Sequence, residues 1–224
     1  MNSDARLPPV RGFTLWELLV TVTVAGILLG IGVPSFIEFQ RNNAIVSAAN
    51  DLVSGIMAAR ARAVQLQVPV TLCASPDPAA ANPVCSPTGA GTNGGFVVWI
   101  DENGNTDANG VPILTDASDG NAVVEGGETV VVARAAPGGT INVTASNNSG
   151  YVSFAPNGRR RDAPGFVQPQ ILTVLYCDER GNRATSGGIS TARVVRIDQT
   201  GRGQVLRQIA EVTPVVAAHG AACP

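Results

Sequence analysis

The chain has 224 residues, of which 45% are hydrophobic and only 14% are charged, and its formal net charge is −2. This length allows one membrane anchor and one domain of ordinary size. The low charge content suits a protein that lies partly in a membrane or packs through its surface better than a charge-rich cytosolic enzyme. The charges are unevenly placed: residues 101–128 carry seven acids and no base, whereas residues 134–207 carry ten arginines and four acids. This asymmetry predicts an acidic and a basic surface on one domain.

An apolar segment near the amino terminus predicts a membrane anchor. Residues 18–37 contain no charged side chain, and about 20 apolar residues is the length of a helix that spans a bilayer. Arg6 and Arg11 precede the segment, so the positive-inside rule predicts a carboxyl-terminal domain outside the inner membrane. A cleaved signal peptide is the alternative, but the residues after Pro34 lack the small-residue pattern of its cleavage site.

A second apolar pattern continues the helix beyond the membrane. Between Ala44 and Leu66, apolar residues recur at spacings of three and four, which indicates one helical face. The sequence therefore predicts one helix over residues 13–66, with a kink at Pro34. The predicted face consists of Ile45, Ala48, Leu52, Ile56, Ala59, Ala63 and Leu66.

After Gln67 the pattern changes to short apolar runs between turn residues, which predicts about seven strands and no second helix. Because an amphipathic helix must bury its apolar face, we expect it to pack on the sheet that these strands form. The predicted fold class is α+β: a long N-terminal helix, transmembrane and then amphipathic, packed on a C-terminal antiparallel β-sheet domain. The predicted strands are 68–73, 95–101, 128–135, 140–146, 151–156, 170–177 and 191–198.

The start of the apolar segment carries a recognisable motif. A short leader ends in Gly12, and Phe13-Thr14-Leu15 and Glu17-Leu18 follow before the apolar helix with Pro34. This arrangement resembles the class III signal of type IV pilins and pseudopilins. The resemblance implies that a prepilin peptidase cleaves between Gly12 and Phe13 and methylates the new amino terminus. Glu17 then becomes the fifth residue of the mature chain.

Glu17 raises a physical question, because a carboxylate within the bilayer costs on the order of 3 kcal/mol. Near the helix start it can pair with a mature amino terminus, its own or that of a neighbouring subunit, and the second pairing would align subunits in a filament. The alternative is that Glu17 reaches the membrane interface. The two interpretations are compatible if the carboxylate is interfacial before assembly and paired afterwards.

The remainder of the chain resembles the FimT/GspH family of minor type IV pilins and type II secretion minor pseudopilins. The resemblance rests on "VTLCAS", "GGFVVWIDENGN" and "YCDERGN" with the following "STARVVRIDQTGRGQV". It implies a pilin-like fold and a subunit at or near the filament tip, with other subunits, the prepilin peptidase and the inner membrane as partners. The implied divisions are a leader (1–12), a transmembrane half-helix (13–37), an amphipathic half-helix (38–67) and a periplasmic domain (68–224).

Four cysteines, which allow three pairings, are expected to form structural disulfides in an exported domain. Cys73 and Cys85 are near in sequence and would close a short loop, and Cys177 with Cys223 would fix the carboxyl-terminal tail. Redox and metal roles are the alternatives, but the cysteines form no CxxC pair and the chain has a single histidine, His219. We expect no metal site.

The acidic loop that starts at Asp101 alternates oxygen ligands at Asn103, Asn105 and Asp107, as calcium loops do. It lacks the glycine and bidentate glutamate positions of an EF-hand, so a turn-rich surface loop is the preferred interpretation. We also expect no cofactor and no enzyme activity, because no nucleophile, phosphate loop or dinucleotide motif accompanies His219.

The basic half allows a different function. Some FimT-like minor pilins bind DNA in natural transformation through a Gly-Arg-x-Arg motif, and the matching stretch here starts at Gly201 but lacks the second arginine. Several arginines could still contact phosphates without sequence preference. The alternative is that these arginines are simply solvated. The candidate DNA-binding residues are Arg193, Arg196, Arg202 and Arg207.

Overall fold

The structure is a computed structural model, and it describes residues 12–85, 95–102, 124, 128–138, 141–146, 150–161, 172–220 and 223. The chain divides into two compact units, Met1–Arg41 and Asn42–Pro224. Helix α1 (Leu15–Leu66) belongs to both of them, so its first part is described with the first unit and its second part with the second. Pro34 lies inside the assigned helix.

The second unit contains two antiparallel sheets. The five-stranded sheet has the order β3-β2-β1-β5-β6, and the four-stranded sheet has the order β4-β7-β8-β9. The strands of the first are β1 (Val70–Ala74), β2 (Phe96–Ile100), β3 (Thr129–Arg134), β5 (Tyr151–Phe154) and β6 (Arg160–Arg161). The strands of the second are β4 (Asn142–Ala145), β7 (Thr173–Cys177), β8 (Ile189–Ile197) and β9 (Gly203–Gln208).

The main core lies between α1 and one face of each sheet. Its α1 side chains include Ile45, Leu52 and Ile56, which are at most 4% exposed. The small residues of α1 bring the helix close to the sheet: a Cβ atom at Gly55 would lie 2.5 Å from Cε2 of Phe96. The sheet residues of this core include Val70, Leu72, Phe96, Val98, Val152, Phe154, Val174, Tyr176, Val195 and Ile197.

The expected α+β class is confirmed, and the predicted helical face is correct at six of its seven positions. Leu66 is the exception, since it is 41% exposed in the last turn of α1. The face also includes Ala49 and Gly55, which the spacing pattern did not single out. Leu66 is followed by Gln67 at a positive φ of 60°, where the chain leaves the helix towards β1. The last residue of the apolar pattern therefore lies where the helix ends, and its side chain does not enter the core.

The prediction of no second helix is wrong. Helix α2 (Ile209–Ala218) follows β9 directly and packs on the face of the four-stranded sheet opposite α1. Its anchor is Val212, which is fully buried in a cluster with Leu175 and Leu206. Pro214 lies inside α2 and cannot donate the usual backbone hydrogen bond, so tertiary packing outweighs a poor helical propensity here.

The strands differ from the prediction mainly at their ends. β1 starts at Val70 and not at residue 68, because the chain must first pass Gln67 and Pro69. β7 is described from Thr173, and residues 162–171 lie outside the described part. Two strands were not predicted: the short β6, which pairs with β5, and β9, which forms a hairpin with β8.

Candidate assembly site

The first turn of α1 is closed by a reciprocal contact between Thr14 and Glu17. The backbone N–H of Glu17 donates to Thr14 Oγ1 over 3.2 Å, and the Glu17 Oε2 atom lies 3.4 Å from the backbone nitrogen of Thr14. This arrangement is a capping box, which satisfies backbone donors that a helix start leaves without intrahelical partners. The carboxylate also lies at the positive end of the helix dipole. Glu17 therefore stabilises the helix start of its own subunit.

The sequence analysis missed the role of Thr14, although its signal is present. A Thr-x-x-Glu pattern directly before an apolar run is a typical helix start. Gly12 and Phe13 precede the capped turn in non-helical backbone, and the Phe13 side chain is 83% exposed. The peptide bond between them thus lies outside the regular helix.

The first part of α1 exposes a continuous apolar surface. Within the described residues, α1 is the one helix that is long and apolar enough to cross a membrane, and none of its most apolar window is buried in the protein. An apolar surface of this extent needs a lipid or protein environment. Its exposed large side chains are Leu15, Trp16, Leu18, Leu19, Val20, Val22, Val24, Ile27, Leu28, Leu29, Ile31, Val33, Phe36, Ile37 and Phe39.

The polar side chains inside this apolar surface find partners on the helix itself. Thr21 Oγ1 donates to the carbonyl of Leu18 over 2.9 Å, and Thr23 Oγ1 bonds to the carbonyl of Val20 over 2.8 Å. Such back-bonding lowers the cost of a hydroxyl in a lipid environment, where water cannot replace the bond. Pro34 removes one backbone donor from the same stretch.

Two disulfides join the four cysteines. Cys73 of β1 is bonded to Cys85, and Cys177 of β7 is bonded to Cys223. The second bond closes a loop with a sequence separation of 46 residues and ties the segment after α2 to a central strand. Each bond joins a strand to a residue outside the two sheets, and this is a structural role.

The four candidate DNA-binding arginines do not form one patch. Arg196 pairs across the sheet with Gln204, and its guanidinium donates to Gln204 Oε1 over 3.1 Å. Arg202 lines a cavity that Arg196 and Gln204 also line. Arg193 pairs with Tyr176, which lies in the core beside α1, and Arg207 is on the same sheet face as Val205, which packs on that core. The structure therefore divides the four into two pairs on opposite faces of one sheet.

The β8–β9 hairpin is held by Asp198. Its Oδ1 accepts hydrogen bonds from Thr200 Oγ1 over 2.7 Å and from the backbone N–H of Arg202 over 2.9 Å. The bond from Arg202, then that from Thr200, lowers the pKa of Asp198 below its usual value. The turn needs a left-handed residue at Gly201, where φ is 77° and a Cβ atom would lie 2.5 Å from the Phe154 ring. Arg202 is thus presented by a well-defined turn.

His219 lies at the end of α2 beside a cavity of about 660 Å³. Its Nε2 atom lies 2.8 Å from Thr173 Oγ1, a hydrogen bond that joins the end of α2 to the start of β7. Its Nδ1 atom is buried and has no hydrogen-bond partner within the described part of the chain. Burial lowers the pKa of His219 below its usual value. The histidine therefore has a packing role.

The acidic loop considered for calcium lies mostly outside the described residues, including Asn103, Asn105 and Asp107. Asp101 itself is fully buried, and its Oδ2 accepts a hydrogen bond of 2.6 Å from Thr71 Oγ1, which is also 2.8 Å from Ser153 Oγ. In the part of the chain that is described, no three His, Cys, Asp or Glu residues come together as metal ligands.

An apolar helix with a capped carboxylate at its start, followed by a helix-backed antiparallel sheet domain, defines a pilin-like subunit. The prokaryotic N-terminal methylation motif matches residues 8–33, which contain the helix start. The profile of the family described as type II transport protein GspH matches residues 48–201, which is more than half of the chain. The chain belongs to this GspH family, whose members are structural pilin and pseudopilin subunits.

Two crystal structures of the type IV minor pilin FimU from Pseudomonas aeruginosa are similar to this chain. The first has 17% sequence identity and a TM-score of 0.41, and the match covers 75% of this chain and 92% of that chain. The second has 17% identity and a TM-score of 0.37, with 71% and 90% covered. No curated protein sequence matched the chain.

Proposed function

We propose that this chain is a minor subunit that assembles at or near the tip of a type IV pilus or of a type II secretion pseudopilus. Membership of the GspH family supports this function, and the unburied apolar surface at the start of α1 carries it. Before assembly the surface lies in the inner membrane, with the domain after residue 67 in the periplasm. In the filament it lies against the corresponding helices of other subunits.

We further propose that the prepilin peptidase processes the chain between Gly12 and Phe13, where the backbone is not yet helical. The new amino terminus is then methylated, and the leader (1–12) is removed from a mature chain that starts with the transmembrane half-helix (13–37) and continues as the amphipathic half-helix (38–67). Mass spectrometry of the protein from its own membranes tests this step. A mature mass that starts at a methylated Phe13 supports the proposal, and an intact Met1 contradicts it.

Glu17 has two roles in this scheme. In the separate subunit it closes the helix start through Thr14, and in the filament it pairs with the amino terminus of a neighbour. In the separate subunit, Glu17 Oε2 lies 3.4 Å from the backbone nitrogen of Thr14 and 3.5 Å from Thr14 Oγ1. In the filament, these long contacts are replaced by an ion pair in a medium of low dielectric constant, where charges attract strongly.

The experiment compares Glu17→Gln with Thr21→Val. Both changes keep the size of the side chain, and Thr21 lies one turn further along the same apolar surface, where its hydroxyl bonds only to its own helix. We expect Glu17→Gln to reduce the amount of subunit in sheared filaments at least about tenfold, the effect of losing about 1.4 kcal/mol, with an unchanged membrane level. Normal incorporation of Glu17→Gln would contradict the proposal.

DNA binding in natural transformation is the second candidate function. The observation that favours it is the exposed pair Arg196 and Arg202 at the β8–β9 hairpin, since two exposed guanidiniums on a fixed turn can contact neighbouring phosphates. We expect Arg196→Gln/Arg202→Gln to abolish a gel shift of the full chain in detergent, and salt to weaken the wild-type shift. Arg134→Gln/Arg159→Gln removes the same charge elsewhere and is the control. Equal loss with the control pair would show that net charge alone attracts DNA.

A further inference from the structure

A row of charged and aromatic side chains crosses the four-stranded sheet beside α1. Tyr176 of β7 pairs with Arg193 of β8, and Arg207 of β9 lies on the same face of the sheet, next to the last regular β8–β9 pair, Val194 and Leu206. This face is the one that α1 covers. A Cβ atom at Gly203 of β9 would lie 3.2 Å from Ile56 Cδ1 of α1, and Arg207 lies on the same face as Gly203 because alternate residues of a strand share a face. We call Arg193 and Arg207 the helix-side pair.

The helix-side pair has no carboxylate partner among the described residues. The Arg193 guanidinium donates to the backbone carbonyls of Ser190 and Ala192 and to no acid. Asp178, the nearby acid, is 2% exposed and is held by Arg180 through a 2.7 Å ion pair. Burial, then repulsion from Arg207 and from Arg180, lowers the pKa of Arg193. Three guanidiniums are thus near enough to repel one another, and of the three only Arg180 has an ion pair with a described residue.

The repulsion among these guanidiniums raises the free energy of the separate subunit, and binding of an external anion would lower it. Arg193 is half-buried beside its buried cross-strand partner Tyr176, whereas Arg207 is exposed. A planar carboxylate can accept hydrogen bonds from two guanidiniums at once, and such pairs are strong where water is partly excluded. Two guanidiniums on this face fit one acidic side chain better than a DNA duplex, which presents a long row of phosphates.

The position beside α1 indicates where the acid comes from. Tyr176 is buried in the same core cluster as Ala48 and Leu52, so the row lies beside this part of α1. The charge of Asp51 on the same part of the helix raises the pKa of Tyr176, after the larger effect of burial. We propose that the helix-side pair is a docking site for an acidic side chain of a neighbouring filament subunit. The inference rests on the proposed function, in which the first part of α1 packs against other subunits and so places their domains near this one.

The first test places a photo-crosslinking amino acid at position 207 of the full chain in cells that make the filament, with the same residue at position 208 as the control. Gln208 is exposed and, by alternation along β9, points to the other face of the sheet. We expect an adduct at 207, but not at 208, that peptide mapping places beside an Asp or Glu of another pilin or pseudopilin subunit. No adduct at 207, equal adducts at both positions, or an adduct with DNA would overturn the proposal.

The second test compares Arg193→Gln/Arg207→Gln with the charge-matched Arg134→Gln/Arg159→Gln. We expect the first pair to lower incorporation into filaments at least about tenfold and the second to leave it unchanged. Equal incorporation of both variants would contradict the docking site. The crosslink does not depend on this variant and still decides the question if the substituted chain does not fold.

The outcome separates this inference from the proposed function. If Glu17→Gln assembles normally, the proposed function fails whatever the arginines do. If Glu17→Gln is excluded from filaments but position 207 gives no adduct, only the docking site fails.

Discussion

Gly55 shows how a single residue sets the distance between the helix and the sheet. It lies on the buried face of α1, and any side chain there would meet the ring of Phe96 and a methyl group of Leu72. A spacing pattern of apolar residues does not reveal this position, because glycine gives no hydrophobic signal and has a low helical propensity. The close approach becomes visible only when the strand that carries Phe96 is in place.

Replacing Gly55 by leucine should therefore overpack the core. We expect Gly55→Leu to lower the free energy of unfolding by about 1–3 kcal/mol, even though leucine favours the helix. Urea unfolding of the full chain in detergent measures the change. Met57→Leu, at a position of the same helix that is 59% exposed, is the control and should leave stability within about 0.5 kcal/mol.

His219 should make stability depend on pH. Its pKa in the folded chain is lowered by burial, so the unfolded chain binds its proton more readily. The folded state is therefore favoured while the histidine is neutral, and this contribution is lost as the pH falls through about 6.5 towards the lower folded pKa. Urea unfolding at about pH 7 and about pH 5 should show a smaller pH effect in His219→Gln than in the wild type. An identical pH effect in both proteins would mean that other groups cause it.

At the scale of elements, α2 depends on contacts that bind it to the four-stranded sheet. Its sequence is poor in helix formers and includes Pro214, so its apolar side chains and the Cys177–Cys223 bond must supply most of its stability. The spacing of Val212, Val215 and Val216 fits one helical face and was the available signal. This signal was missed because the proline and the β-branched residues disfavour a helix, whereas the spacing of the apolar residues favours one.

The Cys177–Cys223 bond fixes the segment that follows α2, and its removal is a prediction at the same scale. We expect Cys177→Ser/Cys223→Ser to lower the free energy of unfolding by about 4 kcal/mol, since the bond closes a long loop. The free tail should also become sensitive to proteolysis near residue 209, whereas Cys73→Ser/Cys85→Ser should leave cleavage there unchanged. Limited proteolysis with mass spectrometry distinguishes the two variants, and equal cleavage of α2 in both would contradict the role given to the tail bond.

The amount that the sequence could predict differs between elements for physical reasons. Helix α1 was predictable because its apolar spacing extends over many turns and outweighs local exceptions such as Pro34. The strands were placed to within a few residues, but β9 was missed because its apolar residues Val205 and Leu206 are adjacent and do not alternate cleanly. The division of the four arginines between two faces needs the register of β8 against both neighbours, and local pattern does not contain that information.

At the scale of the whole molecule, the two compact units have separate physical roles. Every residue of the three core clusters lies at or after Ile45, so the folded domain does not draw on the apolar first part of α1. The exposed apolar surface to which the proposed function gives the membrane and the helix packing belongs to the first unit, and the core, the disulfides and the arginine pairs belong to the second.

This separation predicts the effect of Pro34→Ala. The substitution restores a backbone donor in the first unit, whose described residues contribute no side chain to the core clusters. We expect the free energy of unfolding of the domain to stay within about 0.5 kcal/mol of the wild type, while incorporation into filaments falls because the predicted kink at Pro34 is lost. Near-ultraviolet circular dichroism and filament shearing measure the two effects. A large loss of domain stability would show that the two units are energetically coupled.

Strand β8, like β7, lies between two strands, with α1 over one face and α2 over the other. Its amide protons can therefore reach the solvent only after two helices and two strands have moved away. In deuterated buffer β7 and β8 should keep their amide protons longest, and this pair of strands should be the last part of a damaged subunit to unfold.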